Sequence, residues 1–250
     1  MNSMWIKTLA IAAAAVGYSH AIFGIGGQWA PAPGLEVKAG KGKITNVGTD
    51  SIVIDQKAVS GLNGFGVKLW VDALPFIDIE AGSNVQYGMY DVTIKGPGTT
   101  STPLTFDLGV PTVDKPAFAR IVSDATILYP FLKLPPLISI LKLSAGAGIT
   151  HVLATEVLSN KFATDAVTKA KANGKSASTA GEVSAILIDA IKDEGLKSGI
   201  GFHLELSAKA KVPVIPIGVF ADLKYHFLGS MPKSADANSM TMELGAALAF

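Results

Sequence analysis

Hydrophobic and polar residues alternate along the segment from Met240 to Phe250. One parity carries Met, Leu, Ala and Phe, and the other carries Thr, Glu, Gly and Ala. Because successive side chains of a strand point to opposite faces, this pattern predicts a strand with one apolar face and one polar or small face. Such a strand suits a wall that has lipid on one side and a polar interior on the other.

The same alternation recurs in segments separated by proline-containing breaks. The clearest pair is 200–211 and 217–227, on either side of Val212–Pro216. Proline cannot donate a hydrogen bond to a ladder, so these breaks indicate turns. The pattern predicts eight strands, at 23–29, 65–73, 77–87, 119–127, 141–149, 200–211, 217–227 and 240–250.

These strands predict an all-β fold, a transmembrane antiparallel up-and-down β-barrel. The short turns fall at one end, and the long connections fall at the other, which is the extracellular end in outer-membrane barrels. The long connections are 30–63, 91–117, 151–197 and 229–237. A ten-stranded barrel is the alternative if 42–58 adds a hairpin, and 102–110 competes with 117–129 for the fourth strand.

One extracellular connection, about 151–197, carries a helical insertion. Apolar residues recur at helical spacing over 182–194, with Ser178 or Thr179 as the N-cap and Gly195 as the C-cap. A second helix is expected at about 152–172. The two apolar faces are expected to pack on each other above the barrel; a plug in the barrel mouth and a docking surface are the alternatives.

The N-terminal segment predicts export. Lys7 precedes an apolar run from Leu9 to Val16, and Ser19-His20-Ala21 has the form that signal peptidase cleaves. We predict a signal peptide at 1–21, cleaved after Ala21, and a barrel at 22–250. The apolar run is shorter than the roughly 20 residues that span a bilayer as a helix, so an uncleaved anchor is the weaker interpretation.

Composition favours a membrane barrel. The chain is 49% hydrophobic and 16% charged and has no cysteine, whereas soluble domains are about 25% charged. No apolar segment near helix-spanning length lies beyond the signal, so alternating strands would hold the apolar residues. Without Lys7 the basic and acidic residues balance, which gives no reason to expect nucleic acid as a partner.

Charged residues fall on the parity opposite to the apolar one and are expected in the lumen. Matching the parities across the turn at 212–216 places Glu205 opposite Lys224. Setting Phe227 opposite Met240 then places Lys224 beside Glu243, and the turn at 134–136 allows Asp124 opposite Lys142. These pairs predict a luminal charge network that neutralises itself and holds the barrel closed. The full luminal set is Lys68, Asp72, Asp78, Glu80, Arg120, Asp124, Lys142, His203, Glu205, Lys209, Asp222, Lys224, His226 and Glu243.

No metal site is predicted. His203 and His226 face each other on one hairpin with Glu205 nearby, but two histidines without a third ligand are weak evidence for a metal.

No catalytic or cofactor site is predicted either. Asp72, Asp78 and Glu80 converge near a turn, but such acids ordinarily ring a barrel mouth in water. Gly40-Lys41-Gly42-Lys43 lacks the spacing of a phosphate loop. With a single arginine, Arg120, the chain also lacks the arginine ladder of an anion-selective pore.

The segment 243–250 resembles the C-terminal assembly signal of bacterial outer-membrane β-barrels, through Glu243, Gly245, Leu248 and the final Phe250. With the signal peptide and the alternating strands, the chain resembles the small barrels of the OmpA membrane-domain and OmpX-like type. The resemblance implies the outer membrane of a Gram-negative-type bacterium, contact with its lipid and with the barrel-assembly machinery, and no cofactor.

The expected function is that of a non-enzymatic structural or interaction scaffold whose surface loops, above all 151–197, meet an extracellular ligand or protein. The alternative is a narrow or gated porin-like channel for small solutes, plugged by the helical segment. A soluble lipocalin-like binder is disfavoured because its wetted surface would be rich in Gly and Ala and poor in charge.

Overall fold

The computed structural model describes residues 23–47, 50–72, 76–95, 102–103, 117–133, 140–211, 215–229, 235 and 237–249. The predicted signal peptide at 1–21 and the final Phe250 lie outside the described residues, as do parts of the three proline-marked turns. In chain order the elements are β1 (Phe23–Trp29), β2 (Ala32–Val37), β3 (Gly40–Val47), β4 (Asp50–Gln56), β5 (Val59–Val71), β6 (Asp78–Met89), β7 (Val92–Lys95), β8 (Thr102–Pro103), β9 (Ala117–Lys133), β10 (Ile140–Thr155), α1 (Asn160–Ala172), α2 (Ala180–Glu194), β11 (Leu196–Lys211), β12 (Ile217–Leu228) and β13 (Asn238–Ala249).

Eight strands close into an antiparallel barrel, as predicted. Their order is β1, β13, β12, β11, β10, β9, β6 and β5, and β5 pairs back onto β1 to complete the ring. Both chain ends of the barrel, at Phe23 and Ala249, lie with the short connections, which we call the short-turn end. The long connections all lie at the opposite end.

The ten-stranded alternative is wrong. The extra hairpin at 42–58 does form, as β3 and β4, but it joins β7 and β8 in a separate four-stranded sheet. Of the competing segment 102–110, the described residues form only the short β8, and β9 supplies the fourth barrel strand. These segments therefore build structure at the long-connection end instead of widening the barrel.

The barrel is apolar outside and polar inside. In β12, Val219, Leu223 and Tyr225 point outward and are exposed, whereas Lys224 and His226 point inward and are buried. The same sorting holds along the other barrel strands. An exposed apolar surface of this extent is stable against lipid and would drive association in water.

Three strands run well past the bilayer. β9 has 17 residues, and β10 and β11 have 16 each, whereas about 9 to 11 tilted residues cross the hydrocarbon. At the long-connection end, these three strands pack with β2, the four-stranded sheet and both helices around a hydrophobic core. We call this unit the cap, and its buried residues include Leu35, Ile52, Ile54, Leu62, Tyr90, Ile94, Phe118, Val122, Val152, Leu158, Val183, Leu187 and Leu228.

The helices pack within this cap. α2 matches the predicted helix closely, with Thr179 as its N-cap and Gly195 as its C-cap at a φ of 68°. α1 begins at Asn160, so the prediction of helix from 152 was wrong. Val152 and Ala154 instead continue β10 and bury their side chains in the cap core, and Ser159 provides the N-cap.

The predicted mutual packing of the helices is only part of their contacts. α1 also packs on β3, and α2 packs on β7. Among the described residues, no helix has the length and apolar character needed to cross a membrane.

Candidate functional site

The candidate site is the lumen, along which the described inward-facing side chains are buried. At the short-turn end Trp70 and Phe220 pack edge to face, with ring centroids 5.7 Å apart, together with Ala247 and Ala249. At the other end the apolar cap core covers the opening. The section between these two apolar layers is charged and polar.

The first charged layer lies next to the Trp70 layer. Lys142 pairs with Asp72, at 3.2 Å, and with Asp78. Lys209 pairs with Glu80 and lies 3.8 Å from Asp72. Four barrel strands or their ends contribute to this layer, so its ion pairs tie opposite walls together.

Lys68 is the centre of the next layer. Its Nζ lies 2.6 Å from Glu80, 3.4 Å from Glu243 and 3.5 Å from Glu205, and it also pairs with Asp222. Lys68 is 0% exposed. An ammonium group taken out of water is stable only when carboxylates compensate for its lost hydration. One β5 side chain therefore holds acids from β6, β11, β12 and β13.

Lys224 extends the network along the barrel axis. Its Nζ lies 3.0 Å from Glu243, 3.2 Å from Asp124 and 3.8 Å from Glu205. Glu243 and Glu205 thus each contact two lysines. Sharing carboxylates in this way joins the separate pairs into one network across the lumen.

Neutral polar side chains and Arg120 occupy the part of the lumen next to the cap, which we call the Arg120 layer. Gln28 donates to Asn84, which donates to Glu243 at 2.7 Å. Arg120 donates to Gln86 at 2.8 Å and to Ser239 at 3.0 Å. The guanidinium group thus has hydrogen-bond acceptors within the lumen.

A histidine cluster lies between the lysine network and the Arg120 layer. His203 and His226 face each other with ring centroids 5.5 Å apart. The Asp124 carboxylate lies 3.6 Å from His203 Nδ1 and 3.8 Å from His226 Nδ1. The Thr150 hydroxyl lies among all three, and each of the four residues is at most 5% exposed.

The structure brings together some of the predicted network residues. Glu205 lies opposite Lys224 in the β11–β12 register that the sequence predicts. Asp124 and Lys142, however, are not paired. β9 continues to Lys133 and β10 begins at Ile140, so the ladder is centred about four residues farther along the chain than the predicted pairing requires, and Asp124 lies opposite Thr150.

The predicted register of the last hairpin was off by two residues. Tyr225, not Phe227, lies opposite Met240, and Lys224 lies opposite Thr241. Lys224 nevertheless reaches Glu243 diagonally at 3.0 Å. A diagonal neighbour on the same face remains within reach of a long side chain.

The residues of the expected assembly signal occupy distinct environments in β13. Glu243 is buried in the lumen, Leu248 is exposed on the outer face, and Gly245 lies against the Phe220 ring. Phe250, the fourth residue of that signal, is outside the described part of the chain.

Several luminal residues were not singled out from the sequence. Lys68 was in the luminal set but not in the expected network, and Thr126, Thr150, Asn84 and Gln86 were not considered. All lie on the inward-facing parity of their strands, so the alternation pattern could have predicted that they face the lumen. Their partners lie on strands far apart in the chain, and hairpin registers alone do not define such contacts.

The cap has its own polar anchors. Tyr90 accepts a hydrogen bond from the Leu158 amide, and burial raises the pKa of its hydroxyl to about 12. On the exposed start of α2, the Glu182 carboxylate accepts hydrogen bonds from the Ser178 amide, the Ser176 hydroxyl and the Thr179 amide. These bonds lower the pKa of Glu182.

A closed eight-stranded barrel with an apolar exterior and a charged, filled interior is the architecture of an integral outer-membrane β-barrel, and this is the class of protein that the fold defines. No protein-family model and no curated protein sequence matches the chain.

Among solved structures the chain is similar to the outer membrane protein OprG from Pseudomonas aeruginosa, with 10% identity and a TM-score of 0.48 over 91% of this chain and 95% of OprG. It is also similar to Ail, the attachment invasion locus protein of Yersinia pestis, with 11% identity and a TM-score of 0.32 over 91% of this chain and 96% of Ail.

Proposed function

We propose that this protein is a closed outer-membrane scaffold, without catalysis, that anchors the cap at the cell surface for interaction with an extracellular ligand or protein. The filled lumen carries this proposal. A solute crossing the barrel would have to displace the Trp70 and Phe220 layer, separate the ion pairs of Lys68 and Lys224, and pass the apolar cap core.

The energetics support a closed barrel. Removing one partner of a buried ion pair costs about 3–5 kcal/mol because the remaining charge is left uncompensated. Lys68 and Lys224 each contact at least three carboxylates. Opening a path by thermal motion would break several such contacts at once, so the resting state is closed.

The cap supports the interaction role. α1 and α2 enclose a groove of about 260 Å³. Apolar Phe162 and Ile186 line it together with charged Lys169 and Asp189. Six of the twelve residues lining the groove are charged, so the concave surface offers both apolar and charged groups to a ligand or peptide. We propose that the extracellular partner binds in this groove.

β13 supports two further partners. Leu248 contributes to the lipid-facing surface, and the segment Glu243, Gly245, Leu248 and Phe250 is proposed to be recognised by the barrel-assembly machinery.

Conductance tests the closed-scaffold proposal. The chain from Ile22 onward is refolded in detergent, checked for heat-modifiable migration in gels, and inserted into planar bilayers. Folded barrels without unitary currents are expected. Stable unitary currents from folded protein would contradict the proposal and favour the alternative of a narrow or gated channel.

A further inference from the structure

We propose that Asp124, His203, His226 and Thr150 form a binding site for a single zinc-like divalent metal ion inside the barrel. The sequence offered two histidines and no third ligand. The fold supplies it, because β9 places Asp124 beside the β11–β12 histidines. The three ligand atoms lie within 4.8 Å of one another.

The distances fit a four-coordinate ion. Asp124 Oδ1 lies 3.6 Å from His203 Nδ1 and 3.8 Å from His226 Nδ1. Thr150 Oγ1 lies 2.7 Å, 2.8 Å and 3.2 Å from these three atoms. Ligand atoms around a tetrahedral zinc ion with bonds of about 2.0–2.1 Å lie roughly 3.3 Å apart. Adjustments of about 0.1 to 0.6 Å would bring these five separations to that value.

The hydrogen bonds around the cluster leave His203 Nδ1 and Asp124 Oδ1 as acceptors that face the proposed site. Thr126 donates its one proton to the Glu205 carboxylate at 2.9 Å, so His203 Nε2, 2.8 Å from Thr126 Oγ1, must donate to it. With a proton on Nε2, the ring can direct the lone pair of Nδ1 toward the site. The single proton of Thr150 cannot serve both His203 Nδ1 and Asp124 Oδ1, and a cation would satisfy both.

Surrounding groups hold the ligands in place. His203 Nε2 lies 2.8 Å from Thr126 Oγ1 and 3.6 Å from the Glu205 carboxylate, and outer contacts of this kind orient metal-binding histidines. A Cβ at Gly148 would lie 2.6 Å from His203 Cε1, so the ring packs closely on the β10 backbone. The second oxygen of Asp124 pairs with Lys224 at 3.2 Å, which leaves Oδ1 toward the histidines.

The charge of the lumen also favours a cation. Among the described residues, six buried carboxylates face five buried lysine and arginine side chains. Asp72, only slightly exposed, adds a further carboxylate. A bound divalent ion would offset this excess.

The donor types define the class of metal. Two imidazole nitrogens with carboxylate and hydroxyl oxygens suit Zn²⁺ and its spectroscopic substitute Co²⁺, whereas Mg²⁺ and Ca²⁺ prefer sites made of oxygen. The ion would link β9, β10, β11 and β12 across the lumen.

Metal loading during refolding tests the site. The chain from Ile22 onward is refolded with Zn²⁺, passed through gel filtration and analysed for zinc by mass spectrometry; one ion per folded chain is expected. His151→Gln is the matched control, because His151 is exposed and contacts Ser198. His226→Gln should weaken Zn²⁺ binding by at least about 100-fold, since even changes around the ligands cost roughly 10- to 100-fold.

Cobalt provides a readout in the unaltered chain. Loading with Co²⁺ should produce the visible absorption of a four-coordinate site, and competing Zn²⁺ should remove it. The proposal is overturned if the folded parent retains no zinc, if His226→Gln retains zinc as tightly as the parent does, if His151→Gln loses it, or if bound Co²⁺ lacks the four-coordinate spectrum.

Discussion

Lys68 illustrates how a single residue can link the walls of this barrel. It is fully buried, and its four acidic partners come from four different strands. Buried ion pairs do not in general add stability over apolar packing, but removing one partner is strongly destabilising. The importance of Lys68 therefore lies in the carboxylates that it neutralises.

The substitution Lys68→Met keeps the length of the side chain and removes its charge. Glu80, Glu205, Asp222 and Glu243 would lose a shared cation, so we expect the free energy of unfolding to fall by about 3–5 kcal/mol. Urea unfolding of the refolded barrel measures this change. The matched control is Lys41→Met, whose side chain is 73% exposed and 3.8 Å from Asp55; its effect should stay below about 1 kcal/mol. Equal effects of the two substitutions would contradict the role given to Lys68.

Gly245 matters because two groups approach it closely. A Cβ at this position would lie 2.3 Å from the Phe220 ring and 2.5 Å from the Gly27 carbonyl oxygen. The ring can shift, but the carbonyl belongs to the β1 backbone that closes the barrel. We therefore expect Gly245→Ala to destabilise the barrel by about 1–3 kcal/mol.

The control for Gly245→Ala lies in the partner strand. Gly27→Ala would place its Cβ no closer than 4.0 Å to the Gly66 carbonyl, so it should be tolerated. The measurement is the temperature at which the compact gel band is lost, which should fall for the Gly245 variant alone. A similar fall in both variants would mean that glycine flexibility, not the close contact, is what matters.

At the scale of elements, the strands could be predicted from the sequence because each needs only its own alternation. Val219 and Lys224 reveal the two faces of β12 without reference to any other strand. The registers depend on where the chain turns, and prolines mark a turn only approximately. That is why Glu205 was placed opposite Lys224 correctly while Asp124 was placed opposite Lys142 instead of Thr150.

The start of α2 was also predictable, because capping is local. Thr179 accepts from the Glu182 amide, and the Glu182 carboxylate accepts from the Thr179 amide. Removing the cap by Thr179→Ala should cost about 1 kcal/mol of local stability. Hydrogen exchange of the α2 amides reports this loss. Ser184→Ala, which removes a hydroxyl bonded to the Ala180 carbonyl within the helix, should change protection much less.

The same cap predicts a dependence on pH. Hydrogen bonds from the Ser178 amide and its neighbours lower the pKa of Glu182 from its ordinary value of 4.5. A carboxylate with a lowered pKa stabilises the folded helix above its ordinary pKa, and this stabilisation is lost as the pH falls through the lowered value. Protection of α2, corrected for intrinsic exchange rates, should therefore fall in acid in the parent but not in Glu182→Gln. The same acid response in both would contradict this role of Glu182.

At the scale of the whole molecule, the barrel could be predicted, whereas the cap and the centre of the lumen could not. The cap core brings Leu35, Ile94 and Leu187 together from distant parts of the chain. The luminal set was predicted by parity, but the contacts of Lys68 depend on the curvature that closes the barrel. A local pattern contains neither kind of information, since both arise from long-range packing.

The contribution of the two helices to closure can be tested by shortening one connection. β10 and β11 pair as far as Thr155 and Leu196, so a two-residue Asn-Gly turn can replace 156–195 without altering the ladder. The shortened chain should still migrate as a compact barrel and should remain silent in planar bilayers, because the Lys68 and Lys224 ion pairs and the Trp70 layer remain in place. Insertion into the bilayer is verified by tryptophan fluorescence in vesicles. If the shortened chain conducts and the parent does not, the helical segment closes a channel. The luminal ion pairs would then not be what blocks the barrel.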